Sequence, residues 1–254
     1  MSKRGDANRW LERMPAHGRP RLRLFCFPYA GGSARSFRGW AQELGPDLEV
    51  CAIQLPGRER RLSEPALRRA HEAADILVQV MRPHLDLPFV LFGHSMGALL
   101  AYEVARGLMA SGHEQPRGLF VSGRRAPHLP SRRRRNLHDL PRAELIAEIK
   151  ALNGTPAEVF DHQDLIDLML PTLRSDFELV ETYAQRPGPI LSCPVIAMTG
   201  NKDAEVPLED LAGWQSVTAG RFKTMLFDGH HFYLNDTRTA FLDAVRRELE
   251  TVVS

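Results

Sequence analysis

Side chains suited to serine-based catalysis occur at three places in the chain: Ser95, Asp203 and the pair His230-His231. A serine hydroxyl is a poor nucleophile at neutral pH, so it needs a neighbouring base, and that base needs a third group to orient it. The chain supplies the three types in the order serine, acid, histidine. The question for the sequence is therefore whether its elements bring these residues to one place.

Ser95 lies at the centre of Gly-His-Ser-Met-Gly at 93–97, which we call the elbow, between two apolar runs. The run 89–92 predicts a buried strand, and the run 98–105 predicts a buried helix. On so sharp a turn the serine backbone is strained and its hydroxyl exposed, and only Gly93 and Gly97 lack the Cβ atoms that would collide. A bare motif of this kind is a weak signal, but this context favours a nucleophile over a structural turn serine.

Asp203 and the histidine pair each follow a predicted strand. The strand 194–199 leads into Gly-Asn-Lys-Asp at 200–203, and the strand 222–227 leads into Asp-Gly-His-His at 228–231. Because the carboxyl ends of parallel strands meet at one edge of a sheet, we expect both segments beside Ser95. Alone, Asp203 would pass for a turn aspartate; the order serine, acid, histidine favours a catalytic triad.

The remaining elements alternate between strands and helices, which predicts a mostly parallel sheet with helices on both faces, in the α/β-hydrolase arrangement. The predicted strands are 22–27, 48–53, 89–92, 119–122, 194–199 and 222–227. Helices are predicted at 37–44, from an N-cap at Ser63 to about 82, after the elbow, and at 237–252. Residues 1–20 are polar and predict a loose leader.

The alternation stops between Gly123 and about Pro189, where no strand is predicted. Helices are predicted near 142–152, 164–170 and 172–183, with Pro171 as a kink. We expect one domain over 1–254, with a helical lid inserted at about 124–189 over the active-site edge. The alternative is a helical subdomain that only adds core.

The loop after the first predicted strand has two adjacent glycines, Gly31 and Gly32, which let backbone N–H groups turn toward a ligand. In this fold such a loop supplies one oxyanion donor, and the first turn after the nucleophile supplies the other. We therefore expect the backbone N–H groups of Ala30 and Met96 to form the oxyanion hole. A plain strand-to-helix turn is the alternative for the loop.

Composition excludes several other classes. The chain has 254 residues, 43% hydrophobic and 25% charged, with a net charge of +2, which is ordinary for a soluble globular protein and gives no nucleic-acid signal. No apolar run is long enough to span a bilayer, and the N-terminus has no apolar core, so neither membrane insertion nor a signal peptide is predicted. Cys26, Cys51 and Cys193 lie in predicted strands without metal-ligand spacing. We expect a cytoplasmic protein with no metal and no cofactor of its own.

Between Glu114 and Asp139 the chain has no acidic residue and seven arginines. These are Arg117, Arg124, Arg125, Arg132, Arg133, Arg134 and Arg135. A solvated lid hinge is the simpler interpretation. Docking of an acidic protein is the alternative, whereas nucleic-acid binding lacks interleaved aromatic residues.

Five segments together resemble the type II thioesterases of nonribosomal peptide and polyketide assembly lines, over the chain from Leu22 to the C-terminus. They are Phe-Pro-Tyr-Ala-Gly-Gly-Ser at 27–33, Leu-Pro-Gly-Arg-Glu at 55–59, Gly-His-Ser-Met-Gly-Ala at 93–98, Arg-Ser-Asp-Phe at 174–177 and Gly-His-His-Phe-Tyr-Leu at 229–234. The resemblance implies hydrolysis of misloaded or stalled acyl groups from the phosphopantetheine arm of carrier proteins. It also implies a mobile helical lid and an acidic carrier protein as partner.

The resemblance also chooses between the two histidines. The family's catalytic histidine follows a glycine pair and precedes a phenylalanine; here His230 replaces the second glycine, so His231 takes the catalytic position. A carboxylesterase or lipase, an acyltransferase, and an inactive binding protein on the same fold remain as alternatives. Inactive members usually lack a triad residue, and this chain lacks none.

Overall fold

A seven-stranded sheet organises the structure, a computed structural model that describes residues 9–15 and 18–253. The strands are β1 (Leu11–Met14), β2 (Leu22–Phe27), β3 (Leu48–Ile53), β4 (Phe89–His94), β5 (Gly118–Ser122), β6 (Val195–Gly200) and β7 (Phe222–Phe227). Their order across the sheet is β1-β3-β2-β4-β5-β6-β7. Strands β2 to β7 pair in parallel, as predicted, and β1 pairs antiparallel with β3 at one edge.

Helices cover both faces of the sheet. They are α1 (Trp40–Leu44), α2 (Ala70–Met81), α3 (Met96–Ala110), α4 (Arg142–Leu152), α5 (Gln163–Glu181), α6 (Leu208–Ala212), α7 (Tyr233–Asp236) and α8 (Arg238–Val253). Apolar residues of α2 and α3 form the core on one face, and those of α1 and α8 form the core on the other. Every residue of β2 to β6 is buried, because parallel strands covered on both faces leave no side open to water.

Two predictions near the N-terminal part of the chain are wrong. Residues 11–14, predicted as part of a loose leader, form β1, in which Leu11 is buried opposite Ile53; residues 1–8 and 16–17 lie outside the described residues. The helix predicted from Ser63 begins only at Ala70, with Arg69 as its N-cap. The preceding segment runs past α5, where Arg68 and Arg69 both pair with Glu178.

The segment between β5 and β6 contains α4 and α5 and, as predicted, no strand of the sheet. Pro171 lies inside α5, so the two helices predicted on either side of it are one helix. Residues of this segment bury a small core of their own. Its members are Leu137, Leu140, Leu145, Ile149, Ile166, Leu170 and Leu173. Among the residues that the structure describes, no helix is long and apolar enough to cross a membrane.

Candidate active site

Ser95 occupies the turn between β4 and α3, with backbone angles φ 54° and ψ −113°. A positive φ is rare for a residue with a side chain and marks local strain at a functional position. A Cβ at Gly93 would lie 2.1 Å from the Gly97 carbonyl oxygen, and one at Gly97 would lie 2.0 Å from the Phe27 carbonyl oxygen. Both motif glycines are therefore required because strand, turn and helix approach so closely.

The turn is held by its backbone. The Ser95 N–H donates to the Ser122 carbonyl at 2.8 Å, and the Ala98 N–H donates to the Ser95 carbonyl at 3.1 Å. These bonds hold the turn against the end of β5 and the first turn of α3. Ser95 is one of the residues that line a cavity.

His231 and Asp203 are brought together as the sequence predicts. His231 Nδ1 lies 2.8 Å from Asp203 Oδ2, and both residues are buried. The Thr199 hydroxyl (3.1 Å) and the Glu205 N–H (2.9 Å) also donate to this carboxylate. Burial alone would raise the pKa of Asp203, but the hydrogen bond and charge of His231, with the hydrogen bonds from Glu205 and Thr199, together outweigh it, so the pKa lies below its ordinary value. An ionised Asp203 accepts a hydrogen bond from the Nδ1–H group of His231, which leaves Nε2 as the basic atom.

His230 has different surroundings. It is exposed, and its Nδ1 lies 3.1 Å from the Lys202 carbonyl oxygen. The hydrogen bond to Asp203 is made by His231 and not by His230. The geometry thus separates the doubled histidine into one side chain at the carboxylate and one at the surface.

Ser95 and His231 line two cavities that meet at the elbow. The larger has a volume of about 630 Å³. Its wall is largely apolar and includes Ile149, Leu152, Val159, Leu168, Met169 and Leu173. The smaller, of about 360 Å³, has a charged wall. It includes Arg124, Arg125, Arg132, Arg133, Glu181 and Glu205.

Two backbone N–H groups border the elbow. Met96 is the first residue of α3, where an N–H has no partner within the helix, and Ala30 lies in the loop after β2. Both line the smaller cavity together with Ser95. No hydrogen bond within the described part of the chain uses the Ala30 N–H. The arrangement can therefore offer two donors to an oxygen bound at Ser95.

His94 is a site residue that the sequence analysis left without a role. It is fully buried, its ring centroid lies 5.0 Å from that of His231, and its Nδ1 is 2.9 Å from the Ser122 hydroxyl. The Ser122 hydroxyl in turn lies 2.6 Å from the Tyr233 hydroxyl. Burial holds the pKa of His94 well below its usual range, and the neighbouring charge of His231 lowers it further. The sequence marks His94 only by its position next to Ser95, as one of the two variable residues of the serine motif.

A buried ion pair joins two of the family-like segments to which the sequence analysis gave no role. Arg58, which follows β3, and Asp176, on α5, form two hydrogen bonds of 2.8 Å. Asp176 also accepts the Gly31 N–H at 2.7 Å, and Arg58 donates to the Gly32 carbonyl at 3.0 Å. The pair therefore contacts the same loop that contains Ala30.

The seven arginines between 117 and 135, which we call the arginine run, are partly neutralised within the molecule: Arg125, for example, pairs with Asp210. Arg132 pairs with Asp210 and Glu209, on α6. Arg133 pairs with Glu148 and Glu205, and Arg135 pairs with Glu144. These bonds tie the run to α4, to α6 and to the loop before α6.

Cys26, Cys51 and Cys193 are buried and free of disulfides. Within 9–15 and 18–253, no group of three or more histidine, cysteine or acidic residues could hold a metal ion.

Known proteins share both sequence and architecture with this chain. PikA5, a thioesterase of Streptomyces venezuelae, is 40% identical over 232 residues, covering 91% of this chain and 82% of its own. The gramicidin S biosynthesis protein GrsT of Aneurinibacillus migulanus is 35% identical over 249 residues, covering 98% and 97%. The solved structure of RedJ, a thioesterase from the prodiginine pathway of Streptomyces coelicolor, has a TM-score of 0.86 and 39% identity, covering 92% and 95%.

These likenesses confirm the predicted α/β-hydrolase fold and the resemblance to type II thioesterases. The family model for the thioesterase domain matches residues 22–249. This range includes Ser95, the ends of β6 and β7 and the helical segment between β5 and β6. The chain belongs to the thioesterase domain family.

Proposed function

We propose that this protein hydrolyses acyl, aminoacyl or peptidyl thioesters held on the phosphopantetheine arm of carrier proteins, and so removes misloaded or stalled groups during natural-product biosynthesis. The observation that carries the proposal is the 2.8 Å contact between His231 and Asp203 at a cavity that Ser95 also lines. The relatives GrsT and RedJ, whose names refer to gramicidin S and prodiginine, support the biosynthetic setting.

In the proposed mechanism, His231 Nε2 takes the proton of the Ser95 hydroxyl as its oxygen attacks the thioester carbonyl. Asp203 holds the imidazole in the correct tautomer and stabilises the imidazolium that forms. The N–H groups of Met96 and Ala30 stabilise the oxyanion, and each such donor contributes on the order of 3 kcal/mol. The C–S bond then breaks, and the thiol leaves either with the proton of His231 or as a thiolate, in which case His231 releases its proton to solvent before the next step.

Hydrolysis completes the cycle. Water, deprotonated by His231, attacks the acyl-Ser95 ester, and the acid leaves as the serine regains its proton. No step needs a metal or a cofactor of the enzyme's own, because the pantetheine thiol arrives with the partner. The buried free cysteines suit a reducing compartment. We therefore propose that the protein acts in the cytoplasm, together with the carrier proteins.

The two cavities suit the two parts of such a substrate. The larger, apolar cavity is the better place for the acyl chain, because transfer of apolar surface from water is favourable. The smaller, polar cavity then accepts the end of the arm. The segment at about 124–189, whose helices α4 and α5 wall the larger cavity, is the proposed lid within a single domain spanning 1–254.

The test is acyl release from acyl-loaded carrier proteins, acyl-CoA thioesters and matched oxyesters by the wild type and Ser95→Ala. We expect thioester hydrolysis by the wild type and its loss in Ser95→Ala, with an unchanged fold. A fluorophosphonate should label the wild type at Ser95 only. Ser216→Ala, which changes an exposed serine away from the site, is the control.

Two outcomes would contradict the proposal. Faster turnover of oxyesters than of carrier-bound thioesters would indicate a carboxylesterase or lipase. Transfer of the acyl group to an added alcohol or amine in preference to water would indicate an acyltransferase.

A further inference from the structure

The loop Tyr29–Gly32, which we call the oxyanion loop, presents the Ala30 N–H through a fixed peptide unit. The Gly32 N–H donates to the Tyr29 carbonyl at 2.9 Å. That carbonyl belongs to the same peptide unit as the Ala30 N–H, and in a trans peptide the two point in opposite directions. The bond from Gly32 therefore fixes the direction in which the Ala30 N–H points.

The Arg58–Asp176 pair holds this loop at Gly31 and Gly32, the two residues after Ala30. Asp176 Oδ2 accepts the Gly31 N–H at 2.7 Å, and Arg58 Nη1 donates to the Gly32 carbonyl at 3.0 Å. The side chains of Arg58 and Asp176 are 6% and 1% exposed, so water does not compete for these bonds. Without the guanidinium, the carboxylate would be a buried charge without its ion-pair partner, which is strongly unfavourable.

Helix α5 supplies more than the carboxylate. Gly31 has φ 77°, and a Cβ there would lie 2.6 Å from Leu173 Cδ2, so the helix packs directly on the oxyanion loop. The Thr172 hydroxyl donates to the Gly57 carbonyl at 2.5 Å, one residue before Arg58. The C-terminal half of α5, the loop after β3 and the oxyanion loop thus form one bonded unit.

We propose that Asp176 and Arg58 are positioning residues for the oxyanion hole, so that the Ala30 N–H is correctly aimed only while the C-terminal half of α5 is docked. This inference rests on the proposed function, because it assigns a task in the Ser95 reaction. Asp176 lines neither cavity, and Arg58 borders only the larger one. Both side chains bond to the backbone of Gly31 and Gly32, and through it they position the Ala30 N–H. The helical segment would then complete the catalytic site as well as cover it.

The first test is Asp176→Asn, which keeps the side-chain shape but removes the charge that holds Arg58. We expect kcat to fall about 10- to 100-fold with little change in KM, since a misplaced oxyanion donor weakens only the transition state. An alkylboronic acid, which forms a tetrahedral adduct with the serine, should lose affinity by a similar factor. A non-hydrolysable thioether analogue, which needs no oxyanion donor, should bind as tightly as before.

A second variant separates positioning from folding. Removing one member of a buried pair destabilises the fold, whereas replacing both members with apolar residues is often tolerated. The double variant Arg58→Met/Asp176→Leu should therefore fold yet show the same loss of kcat and of boronate affinity. Glu49→Gln is the matched control, because Glu49 also forms a buried pair, with Arg23. This pair lies near the N-terminal ends of β2 and β3, whereas Arg58 and the oxyanion loop follow the C-terminal ends. Glu49→Gln should lower Tm without changing kcat.

The outcomes distinguish the inference from the proposed function. A wild type without thioesterase activity would refute the proposed function itself. An active wild type whose folded double variant keeps full kcat and boronate affinity would overturn only the positioning role. Equal losses of boronate and thioether affinity would also overturn it, because they would indicate a deformed site rather than a misdirected donor.

Discussion

The doubled histidine after β7 gives a test at the scale of single residues. We expect His231→Ala to lower kcat about 10⁴-fold, because the oxyanion hole and substrate binding alone would remain. His230→Ala, which changes an exposed side chain bonded to the Lys202 carbonyl, should leave kcat within about threefold of the wild type. Steady-state hydrolysis of a small acyl thioester measures both. An inactive His230→Ala beside an active His231→Ala would reverse the assignment.

His94 predicts a pH dependence of stability. An unfolded histidine titrates near pH ~6.5. Because the pKa of His94 is lowered in the folded protein, the unfolded state binds one more proton below that pH. This contribution to stability is complete above pH ~6.5 and decreases as the pH falls, by up to about 1.4 kcal/mol per pH unit.

Urea unfolding of the wild type and of His94→Asn between pH 5 and about 7 tests this linkage. The asparagine amide can still bond the Ser122 hydroxyl, so the variant removes chiefly the titration. We expect a smaller slope of unfolding free energy against pH in His94→Asn. His128→Asn, at an exposed position, is the control. Identical slopes for His94→Asn and the wild type would refute the buried, neutral state.

At this scale the sequence predicts the residues that are marked by the strand or helix next to them. Ser95 could be proposed from its flanking strand and helix, and Asp203 and the pair His230-His231 from the ends of later strands. The choice of His231 over His230 came from the family resemblance. The Arg58–Asp176 pair could not, because its members are 118 positions apart and no local pattern relates them. His94 was missed because its isolation from water is a property of the packed interior.

At the scale of elements, the two halves of α5 differ in how they are held. Residues 172–181 bond to the rest of the protein through Thr172 and Asp176, and through Glu181, which accepts the Leu137 N–H. In the first half, Leu165 and Leu168 are 44% and 51% exposed. Pro171 lies between the halves and lacks the N–H that would strengthen the helix there.

We therefore predict that amides of α4 and of residues 163–170 exchange hydrogen faster than those of 172–181. The second half of α5 should approach the protection of β4, because opening it requires the breaking of buried bonds. Hydrogen exchange followed by mass spectrometry of short peptides measures this. Joint exchange of both halves would show that the helix opens as a single element.

Elements with strong local patterns were also the ones that the sequence predicted well. Buried parallel strands appear as short apolar runs, so β2 to β6 were identified with shifts of only a few residues at their ends. β7 also has its predicted bounds, although its residues are only partly buried or exposed. β1 has four residues and a polar middle, and only its pairing with β3 makes it a strand. The start of α2 was missed because Arg68 and Arg69 bind Glu178 of a helix far along the chain.

At the scale of the whole molecule, the arginine run provides internal links. Arg132→Glu would place a third carboxylate beside Asp210 and Glu209, so we expect Tm to fall by a few degrees. kcat/KM should fall by the same factor for an acyl-carrier protein and for a small thioester. Arg134→Glu is the matched control, because Arg134 is exposed and forms no ion pair with the described residues.

A different result would restore the docking role of the run. If Arg134→Glu lowered kcat/KM for the carrier protein alone, and more strongly at low salt, long-range attraction of an acidic partner would be indicated. Equal activity of Arg134→Glu and the wild type on both substrates would leave the run with its links to α4 and α6.

The Arg58–Asp176 pair also limits where this chain can be recombined with its relatives. A chimera that exchanges everything between β5 and β6 carries away one member of a pair whose other member, Arg58, stays behind. A crossover at Pro171 leaves Arg58 and Asp176 in the same parent while importing most of the apolar wall of the larger cavity. The segment that can be exchanged to alter acyl preference, by engineering or in evolution, therefore ends at Pro171. It is shorter than the whole segment between β5 and β6.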